Sequence, residues 1–358
     1  MRGARAARAS LRRILRGLPV SRGRTPVSAR GEGAPARAVL VVRPSSLGDV
    51  VYAMAVVSDI EAHDPALPVD WVAEEAFVPL VRLDPRIRTV VPLALRRWRG
   101  GALAAATWRE LRAFRRELRA QPYAAILDLQ EQVKGALVAR MARGTRHGLD
   151  RESIREPLAA LFDDVHHRIP RDLHFLDKCR ALAAAALGYE AKGPPRWGFA
   201  PPPAAAAMPA GRYALVFHAT SRDDKLWPED RWRAIVLRLA AAGIATLLPW
   251  GSPPEEARSR RIAAGVAGAV VPPRQSLPEL AALARRADVV VGVDTGLTHL
   301  AAALGTPTVA VFTATDATKA GVACAGPHAR DVGGCGTVPS FDDVAAAVGR
   351  ALATAPRC

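Results

Sequence analysis

The sequence predicts an α/β fold of two facing Rossmann-like domains, each built on a mostly parallel sheet. Short apolar runs alternate with helical patterns in both halves of the chain, as expected for strands buried on both faces. A Pro- and Ala-rich stretch at 194–211 interrupts the alternation, which then restarts. Two βα halves on either side of such a linker predict two domains that face each other across a cleft.

The first half predicts four strands. The opening apolar run ends at Arg43-Pro44, a dipeptide that disfavours helix, and is therefore typical of a strand. In chain order we predict a strand at 39–42, a helix at 50–60, a strand at 69–73, a helix at 75–83, a strand at 88–93, a helix at 104–120, a strand at 124–129 and helices at 132–143 and 172–187.

The second half repeats the same alternation. In chain order we predict a strand at 213–219, a helix at 229–242, a strand at 245–250, a helix at 253–264, a strand at 269–271, a helix at 276–286, a strand at 289–294, a helix at 297–304, a strand at 308–313 and a helix at 340–353. We expect the final helix to pack back across the linker. The predicted boundaries are an extension at 1–37, a first domain at 38–193, a linker at 194–211 and a second domain at 212–358.

Charge is distributed unevenly along the 358 residues, whose formal net charge is +16. Residues 1–38 carry ten arginines and one acid, Glu32, without the apolar core of a signal peptide. We expect a disordered arm, a tether to anionic membrane, or a start codon placed too early. The basicity also raises nucleic-acid binding, but no helix-turn-helix, zinc finger or aromatic-basic platform is present, so we predict no nucleic-acid partner.

Two further features limit the class of protein. No run approaches the roughly 20 apolar residues that span a bilayer. The cysteines show neither metal-ligand spacing nor a disulfide framework, which fits a reducing cytoplasm. They are Cys179, Cys324, Cys335 and Cys358.

The turn after the first strand is the first candidate site. It carries Gly48 and Asp49 and opens the helix at 50–60, at the point where open α/β sheets bind ligands. It lacks the G-x-G-x-x-G fingerprint, so a tightly held dinucleotide is not expected. Asp49 is either a carboxylate at the mouth of the cleft or an N-cap residue that starts the helix.

A second candidate site follows the first strand of the second half. The hydroxyls of Thr220 and Ser221, with Lys225 nearby, are suited to phosphate oxygens. Lysine is scarce in this chain, so one at a predicted cleft is informative. The alternative is an ordinary surface ion pair of Lys225 with Asp223 or Asp224.

The stretch 293–307 gives the stronger signal. A strand delivers Asp294, Thr295 and Gly296, and the next helix begins at once with His299 in its first turn. Unpaired backbone N–H groups at a helix start, with glycine allowing close approach, form an anion site. Glu255, at another strand-end turn, is suited to ribose hydroxyls.

These passages resemble the ADP-heptose:lipopolysaccharide heptosyltransferase family, and most closely its heptosyltransferase I branch. The resemblance covers about residues 38–345 in order, and HATxRDDKxWP with LPWG is specific to this family. The matching passages are SSLGD (45–49), WVAEEAF (71–77), RRWR (96–99), HGLDRESIREPLA (147–159), HATSRDDKLWPEDRW (218–232), LPWGSPPEE (248–256) and VDTGLTHLAAALGTP (293–307).

The resemblance implies a GT-B architecture, with an N-terminal acceptor domain and a C-terminal ADP-sugar-binding domain. It implies inverting, metal-independent transfer of L-glycero-D-manno-heptose from ADP-heptose, the donor substrate, with no cofactor. The implied acceptor is the Kdo of Kdo-lipid A in the lipopolysaccharide inner core. Such an acceptor implies a cytoplasmic enzyme bound peripherally to the anionic surface of the inner membrane. The absence of an Asp-x-Asp pair at any predicted strand end agrees with the absence of a metal.

Carried over by position, the resemblance also implies roles for individual residues. Asp49 would be the general base. The donor-binding residues would be Thr220, Ser221, Lys225, Glu255, Gln275, Asp294, Thr295, Gly296 and His299, and the acceptor-binding residues Arg96, Arg97, Arg99 and Lys134. The chain departs from the family pattern at 130–132, close to Lys134, and in the loop at 312–321.

Two other functions remain open from the sequence. One is a related heptosyltransferase with a different acceptor, such as the first core heptose. The other is a scaffold that binds a nucleotide sugar without turnover. The arginine-rich helix at 108–119 is either a solvated charged face or a surface that docks on anionic membrane.

Overall fold

A computed structural model describes residues 38–101, 104–200, 209 and 211–354. It contains two six-stranded parallel sheets flanked by helices. The predicted fold class, α/β with two facing Rossmann-like domains, is confirmed. The Arg-rich extension at 1–37 and most of the linker lie outside the described residues, and the predicted domain boundaries remain predictions.

The first sheet and its helices come from the first half of the chain. Its strand order is β3-β2-β1-β4-β5-β6. The elements are β1 (Ala38–Val42), α1 (Leu47–His63), β2 (Val69–Glu74), α2 (Val78–Val81), β3 (Ile87–Leu93), α3 (Leu95–Gly100), α4 (Ala105–Leu118), β4 (Pro122–Asp128), α5 (Val133–Ala139), β5 (Arg143–Leu149), β6 (Val165–His167) and α6 (Phe175–Leu187).

The second sheet repeats this organisation. Its strand order is β12-β11-β10-β7-β8-β9. The elements are β7 (Tyr213–Phe217), α7 (Glu229–Ala241), β8 (Ala245–Leu247), α8 (Pro253–Ala263), β9 (Ala269–Val270), α9 (Leu277–Arg286), β10 (Val289–Val293), α10 (Gly296–Ala303), β11 (Thr308–Phe312), α11 (Ala317–Ala320), β12 (Ala329–Gly333) and α12 (Phe341–Thr354).

The central strands of both sheets are fully buried, which explains their continuous apolar sequences. β1 lies between β2 and β4, with Val41 beside Trp71 and Val42 beside Asp128. β10 lies between β7 and β11. Helices cover both faces of a parallel sheet, so every side chain of such a strand packs into a core. The loops that follow β1 and β10 leave the carboxyl ends of these strands, where ligands bind in open α/β sheets.

The two halves are joined by a shared apolar core as well as by the chain. Ala281 and Leu300 from the second half pack in one cluster with residues such as Val51 and Leu80 of the first. Glycines bring α1 and α10 close together. A Cβ at Gly48 would lie 2.6 Å from Cδ2 of His299, and a Cβ at Gly296 would lie 2.5 Å from Cβ of Leu47.

The structure corrects several predicted elements. The helix predicted at 132–143 ends at Ala139, and the chain continues into β5. The strands β5, β6 and β12 were not predicted. The final helix packs in the core of the second half, where its Val344 and Val348 lie with Val291 and Trp232. Most of the linker lies outside the described residues, so packing of this helix across it stays a prediction.

In the part of the chain that the structure describes, no helix combines the length and apolar character that crossing a bilayer requires.

Candidate active site

Asp49 lies in the first turn of α1, just after β1. Ser46 precedes the helix as its N-cap, so the N-cap interpretation of Asp49 is wrong, and the carboxylate is the third residue of a capping box. The backbone N–H and the hydroxyl of Ser46 donate to Asp49 Oδ2 at 3.1 and 2.8 Å. The side chain remains 37% exposed. Asp49 therefore completes the capping box of Ser46 and remains partly exposed after the end of β1.

Arg43, which directly follows β1 in the sequence, is the charged partner of this carboxylate. Its Nη2 lies 2.6 Å from Asp49 Oδ2, and its guanidinium also donates to the carbonyl of Leu129 and lies over the ring of Phe175. Burial raises the pKa of Asp49, but the Arg43 charge and the Ser46 hydrogen bonds outweigh it, so the net pKa is lowered. Three donors occupy Oδ2, while Oδ1 has no hydrogen-bond partner among the described residues.

Lys134 lies beside the same turn. Its Nζ donates to Ser45 Oγ at 3.2 Å. Burial lowers the pKa of Lys134, and the charges of Arg43 and Arg99 lower it further. The structure thus places Lys134 next to the turn that carries Asp49.

Asp294 organises the corresponding turn after β10. Lys225 Nζ lies 2.7 Å from Oδ2, the hydroxyl of Thr315 donates to the same oxygen at 2.6 Å, and His299 Nε2 lies 3.3 Å from Oδ1. Burial raises the pKa of Asp294, but the imidazole of His299, Lys225 and Thr315 together bring it well below its usual value. The carboxylate is ionised and held by three donors.

Lys225 therefore pairs with Asp294 and not with its sequence neighbours. Asp224 pairs with Arg222 instead. The alternative of a local surface ion pair for Lys225 is wrong. An ammonium group has three protons, so two remain for other acceptors. The hydroxyl of Thr220 donates to the backbone carbonyl of Asp294 at 3.0 Å and belongs to the same cluster.

The helix α10 begins within this cluster. Thr295 is its N-cap and Gly296 its first residue. The N–H groups at positions 296 and 297 have no acceptor among the described residues. They point from the positive end of the helix, as an anion site requires.

Three other predicted donor residues lie apart from these contacts. Ser221 is exposed and has no hydrogen-bond partner among the described residues. Glu255 accepts a hydrogen bond from the N–H of Gly251 at 2.7 Å, which closes the turn before α8. Gln275 donates to the carbonyl of Pro273 at 2.9 Å, and its Oε1 is buried without a partner.

The arginine cluster of α3 is exposed, and its members differ. Arg97 is paired with Glu75 at 2.9 Å and with Glu110 at 2.7 Å. Arg96 and Arg99 have no carboxylate partner among the described residues. The structure thus leaves two of the three guanidinium groups available to an anionic ligand.

Within the described ranges of the chain, no group of three His, Cys, Asp or Glu side chains is placed to hold a metal ion.

Three residues of the site were not predicted from sequence. Arg43 was treated only as a helix-disfavouring residue, although an arginine that ends a buried strand is a signal for a paired charge. Thr315 lies in the loop that departs from the family pattern. Tyr52 is one turn after Asp49, and its hydroxyl lies 2.7 Å from His299 Nδ1, so it joins the two halves.

Comparison with known proteins agrees with this geometry. Residues 111–337 match glycosyltransferase family 9 (heptosyltransferase). The chain is 42% identical over 282 residues to lipopolysaccharide heptosyltransferase 1 of Escherichia coli strain K12. The aligned region covers 78% of this chain and 88% of that protein. It is 38% identical over 278 residues to the Pseudomonas aeruginosa protein of the same name, covering 76% and 78%.

Solved structures show the same relationship. The structure of E. coli heptosyltransferase WaaC with ADP matches with a TM-score of 0.74 at 40% identity and covers 79% of this chain and 90% of that one. The structure of WaaC with ADP-2-deoxy-2-fluoro heptose matches with a TM-score of 0.75 at 37% identity, covering 87% and 98%.

The fold and the cleft between its two sheets first define a class: this is a glycosyltransferase of GT-B architecture. Within that class, the sequence identity and the coverage of these matches decide the family. The chain belongs to glycosyltransferase family 9, the heptosyltransferases.

Proposed function

We propose that this enzyme transfers L-glycero-D-manno-heptose from ADP-heptose to the Kdo of Kdo-lipid A, with inversion at the sugar carbon. The observation that carries the proposal is the pair of strand-end turns that come together where the two halves of the chain pack. One turn presents the Asp49 carboxylate with Oδ1 unoccupied, and the other presents Lys225 and the start of α10.

Asp49 is the general base of the proposed reaction. Its carboxylate takes the proton of the acceptor hydroxyl, whose oxygen forms a bond to the anomeric carbon of heptose. The bond from that carbon to ADP breaks, and ADP leaves with the electron pair. Arg43 keeps Asp49 ionised because it lowers the pKa of this carboxyl, so the base is ready at neutral pH.

The positive potential for the diphosphate comes from protein groups in this proposal. Lys225 has two protons beyond the one that Asp294 accepts, and the N–H groups at 296 and 297 add the field of a helix start. Thr220 and Ser221 are also assigned to the diphosphate, and Thr295 and His299 to the diphosphate and the heptose. Gln275, with its unpartnered Oε1, is assigned to the adenine, and Glu255 to the ribose. No metal or cofactor is required.

The acceptor side is assigned to the exposed cations of the first half. Lys134 lies beside the Asp49 turn, and Arg96, Arg99 and Lys134 suit the carboxylate of Kdo and the phosphates of lipid A. Arg97 contributes by fixing α3 to Glu75 and Glu110.

We also propose peripheral attachment to anionic membrane, in keeping with a lipid-linked acceptor. A surface groove of about 450 Å³ lies between α4 and α5. Its apolar residues include Trp108, which is 52% exposed, and Leu137, which is 44% exposed. Arg112, Arg115 and Arg140 line it and have no acidic partner among the described residues. Exposed tryptophan among unpaired arginines suits a surface of anionic headgroups and acyl chains.

The central test is product formation. Purified enzyme is incubated with ADP-heptose and Kdo-lipid A, and the lipid is analysed by mass spectrometry. Addition of one heptose is expected, and it should persist in excess EDTA. Transfer only to an acceptor that already carries heptose would favour the alternative acceptor. ADP-heptose binding with no product on either acceptor would favour a non-catalytic scaffold.

The acceptor assignment is tested by steady-state kinetics with each substrate varied in turn. Replacing Arg96 and Arg99 with alanine is expected to raise the KM for the acceptor and to leave the KM for ADP-heptose unchanged. Arg238 on α7, exposed in the other half, is the matched control. Equal damage to both KM values would mean that these arginines stabilise the fold instead.

The membrane assignment is tested by flotation with vesicles of phosphatidylglycerol and phosphatidylethanolamine. Changing Arg112 and Arg115 to glutamate is expected to reduce vesicle binding at low salt, whereas Arg238→Glu should not. Unchanged binding of the double variant would reject this groove as the docking surface.

A further inference from the structure

Tyr52 lies between the proposed base and the proposed donor-binding residues and contacts the second half of the chain. It lies on α1, one turn after Asp49, and is only 2% exposed. Its hydroxyl lies 2.7 Å from Nδ1 of His299 and 2.6 Å from the carbonyl oxygen of Gly321. Both partners belong to the second half of the chain. A single phenol thus links the two halves next to the proposed reaction centre.

The chemistry of the acceptor decides the direction of the hydrogen bonds that the Tyr52 hydroxyl makes. The carbonyl of Gly321 can only accept, so the Tyr52 O–H donates to it. The phenol oxygen then accepts from the Nδ1–H of His299. The other ring nitrogen, Nε2, faces the Asp294 carboxylate at 3.3 Å. Tyr52 therefore determines how the His299 ring is oriented toward Asp294.

Gly321 connects Tyr52 to a second ligand of Asp294. This glycine ends the loop that carries Thr315, whose hydroxyl donates to Asp294 Oδ2 at 2.6 Å. His174, from the first half, also donates to the Gly321 carbonyl, with Nε2 at 3.0 Å. Two of the three donors on Asp294 are thus linked to Tyr52: His299 directly, and Thr315 through the loop that ends at Gly321. Lys225 has no such link among the described contacts.

We propose that Tyr52 is a positioning residue for the transfer reaction. It fixes α1, which carries the base, against His299 and the Thr315 loop, which hold Asp294 at the donor site. This inference rests on the proposed function and adds a residue to it. The close contacts of Gly48 with His299 bring the helices together, and the Tyr52 hydroxyl sets their rotation and register.

The principal test is Tyr52→Phe, which removes one oxygen and keeps the ring. That ring packs against His174 and His299, with centroids 5.2 and 4.9 Å away. Because a misplaced base loses rate without losing affinity, kcat is expected to fall about ten- to a hundredfold, with both KM values within about twofold of wild type.

Tyr213→Phe is the matched control. The Tyr213 hydroxyl is also buried and also donates to a carbonyl, that of Leu283 at 2.7 Å, but it lies wholly within the second half. A similar loss of stability with unchanged kcat is expected. Equal falls of kcat in the two variants, or a rise of the donor KM with unchanged kcat, would overturn the proposal.

A measurement without substrate separates this proposal from the proposed function. In ¹⁵N-histidine NMR of the free enzyme, Tyr52→Phe should shift the Nδ1 resonance of His299, and Tyr213→Phe should not. An unchanged resonance refutes the positioning role. An inactive wild-type enzyme refutes the proposed function while leaving this result valid.

A second variant applies if Tyr52→Phe does not fold. His174→Asn keeps a capping acceptor at the start of α6, where His174 Nδ1 accepts from the N–H of Leu176, but it removes the donor to Gly321. A two- to fivefold fall of kcat with unchanged KM values is expected. An unchanged kcat would exclude the Gly321 link.

Discussion

The turns after β1 and β10 have the same local structure, but their carboxylates differ in exposure and in hydrogen-bond partners. Each follows a central, fully buried strand and opens a helix with a glycine in its first turn. Asp49 is 37% exposed, and its Oδ1 has no hydrogen-bond partner in the part of the chain that the structure describes. Asp294 is 9% exposed and is bound by Lys225, Thr315 and His299.

The difference is the one that the roles proposed for these two carboxylates require. A carboxylate that must exchange a proton with substrate needs an accessible oxygen, and Asp49 has one. A carboxylate that only orients other groups is best saturated by hydrogen bonds, as Asp294 is. The pKa is lowered in both cases, so the lowered pKa alone does not distinguish the base from the organising residue.

The largest expected effect is that of Asp49→Asn on turnover. Asparagine keeps an oxygen for Ser46 and Arg43 but cannot take a proton, so kcat should fall about 10²–10⁴-fold. ADP binding, measured by calorimetry, should remain within about twofold. If more than a tenth of the turnover survives, Asp49 acts only as a helix cap.

The next largest effect is that of Asp294→Ala on stability. Removing a buried carboxylate leaves Lys225 without its counter-charge, which costs about 3–5 kcal/mol of unfolding free energy. Urea denaturation measures it, with Asp49→Asn, expected to cost less than about 1 kcal/mol, as the comparison. Equal losses in the two variants would remove the distinction between the turns.

A third strand-end carboxyl sharpens the comparison. Asp128 ends β4 and is buried with Oδ2 unpartnered. Burial and the nearby charge of Asp163 raise its pKa to about 8. The folded state then binds a proton that the unfolded chain releases near pH 4, so stability should fall between about pH 4 and 8, by up to about 1.4 kcal/mol per pH unit.

Asp128→Asn measures this dependence. The variant should lose the slope and be more stable than wild type at pH 8, as judged by denaturant midpoints across the pH range. Identical slopes for the variant and the wild type would show that Asp128 does not titrate in this interval.

The smallest effect is expected from Ser46→Ala. The variant removes the N-cap hydroxyl and one of the three donors on Asp49 Oδ2, which should cost about 1 kcal/mol. Because Arg43 remains, kcat should change by less than about threefold. A loss of activity as large as that of Asp49→Asn would show that Ser46, and not Arg43, holds the base.

The sequence predicted what is decided locally. The β1 and β10 turns were found because a buried strand, a glycine and a helix start are adjacent in the chain. β5 was missed because its sequence, RGTRHGL, is polar and rich in glycine, and pairing with β4 makes it a strand. The final helix was predicted, but its packing depends on a core that the local pattern does not show.

The contacts of the site were less accessible to sequence reasoning. Lys225 and Asp294 are 69 residues apart, and Tyr52 and His299 are 247 apart. The chemical types of these residues favoured a phosphate site, but only the fold pairs them. Arg43 is close to Asp49 in the sequence, but its other partners, the carbonyl of Leu129 and the ring of Phe175, are distant in the chain and are brought to it only by the fold.

The glycine contacts between α1 and α10 have a consequence for recombination. Gly48 packs against His299 of the second half, and Gly296 packs against Leu47 and the backbone of Gly48 in the first, so a side chain at either glycine would clash with the opposite half. The halves therefore are not interchangeable modules. In a chimera whose second half comes from a distant relative, the two halves are expected to pack together only if the contacting residues of both halves come from the same parent protein.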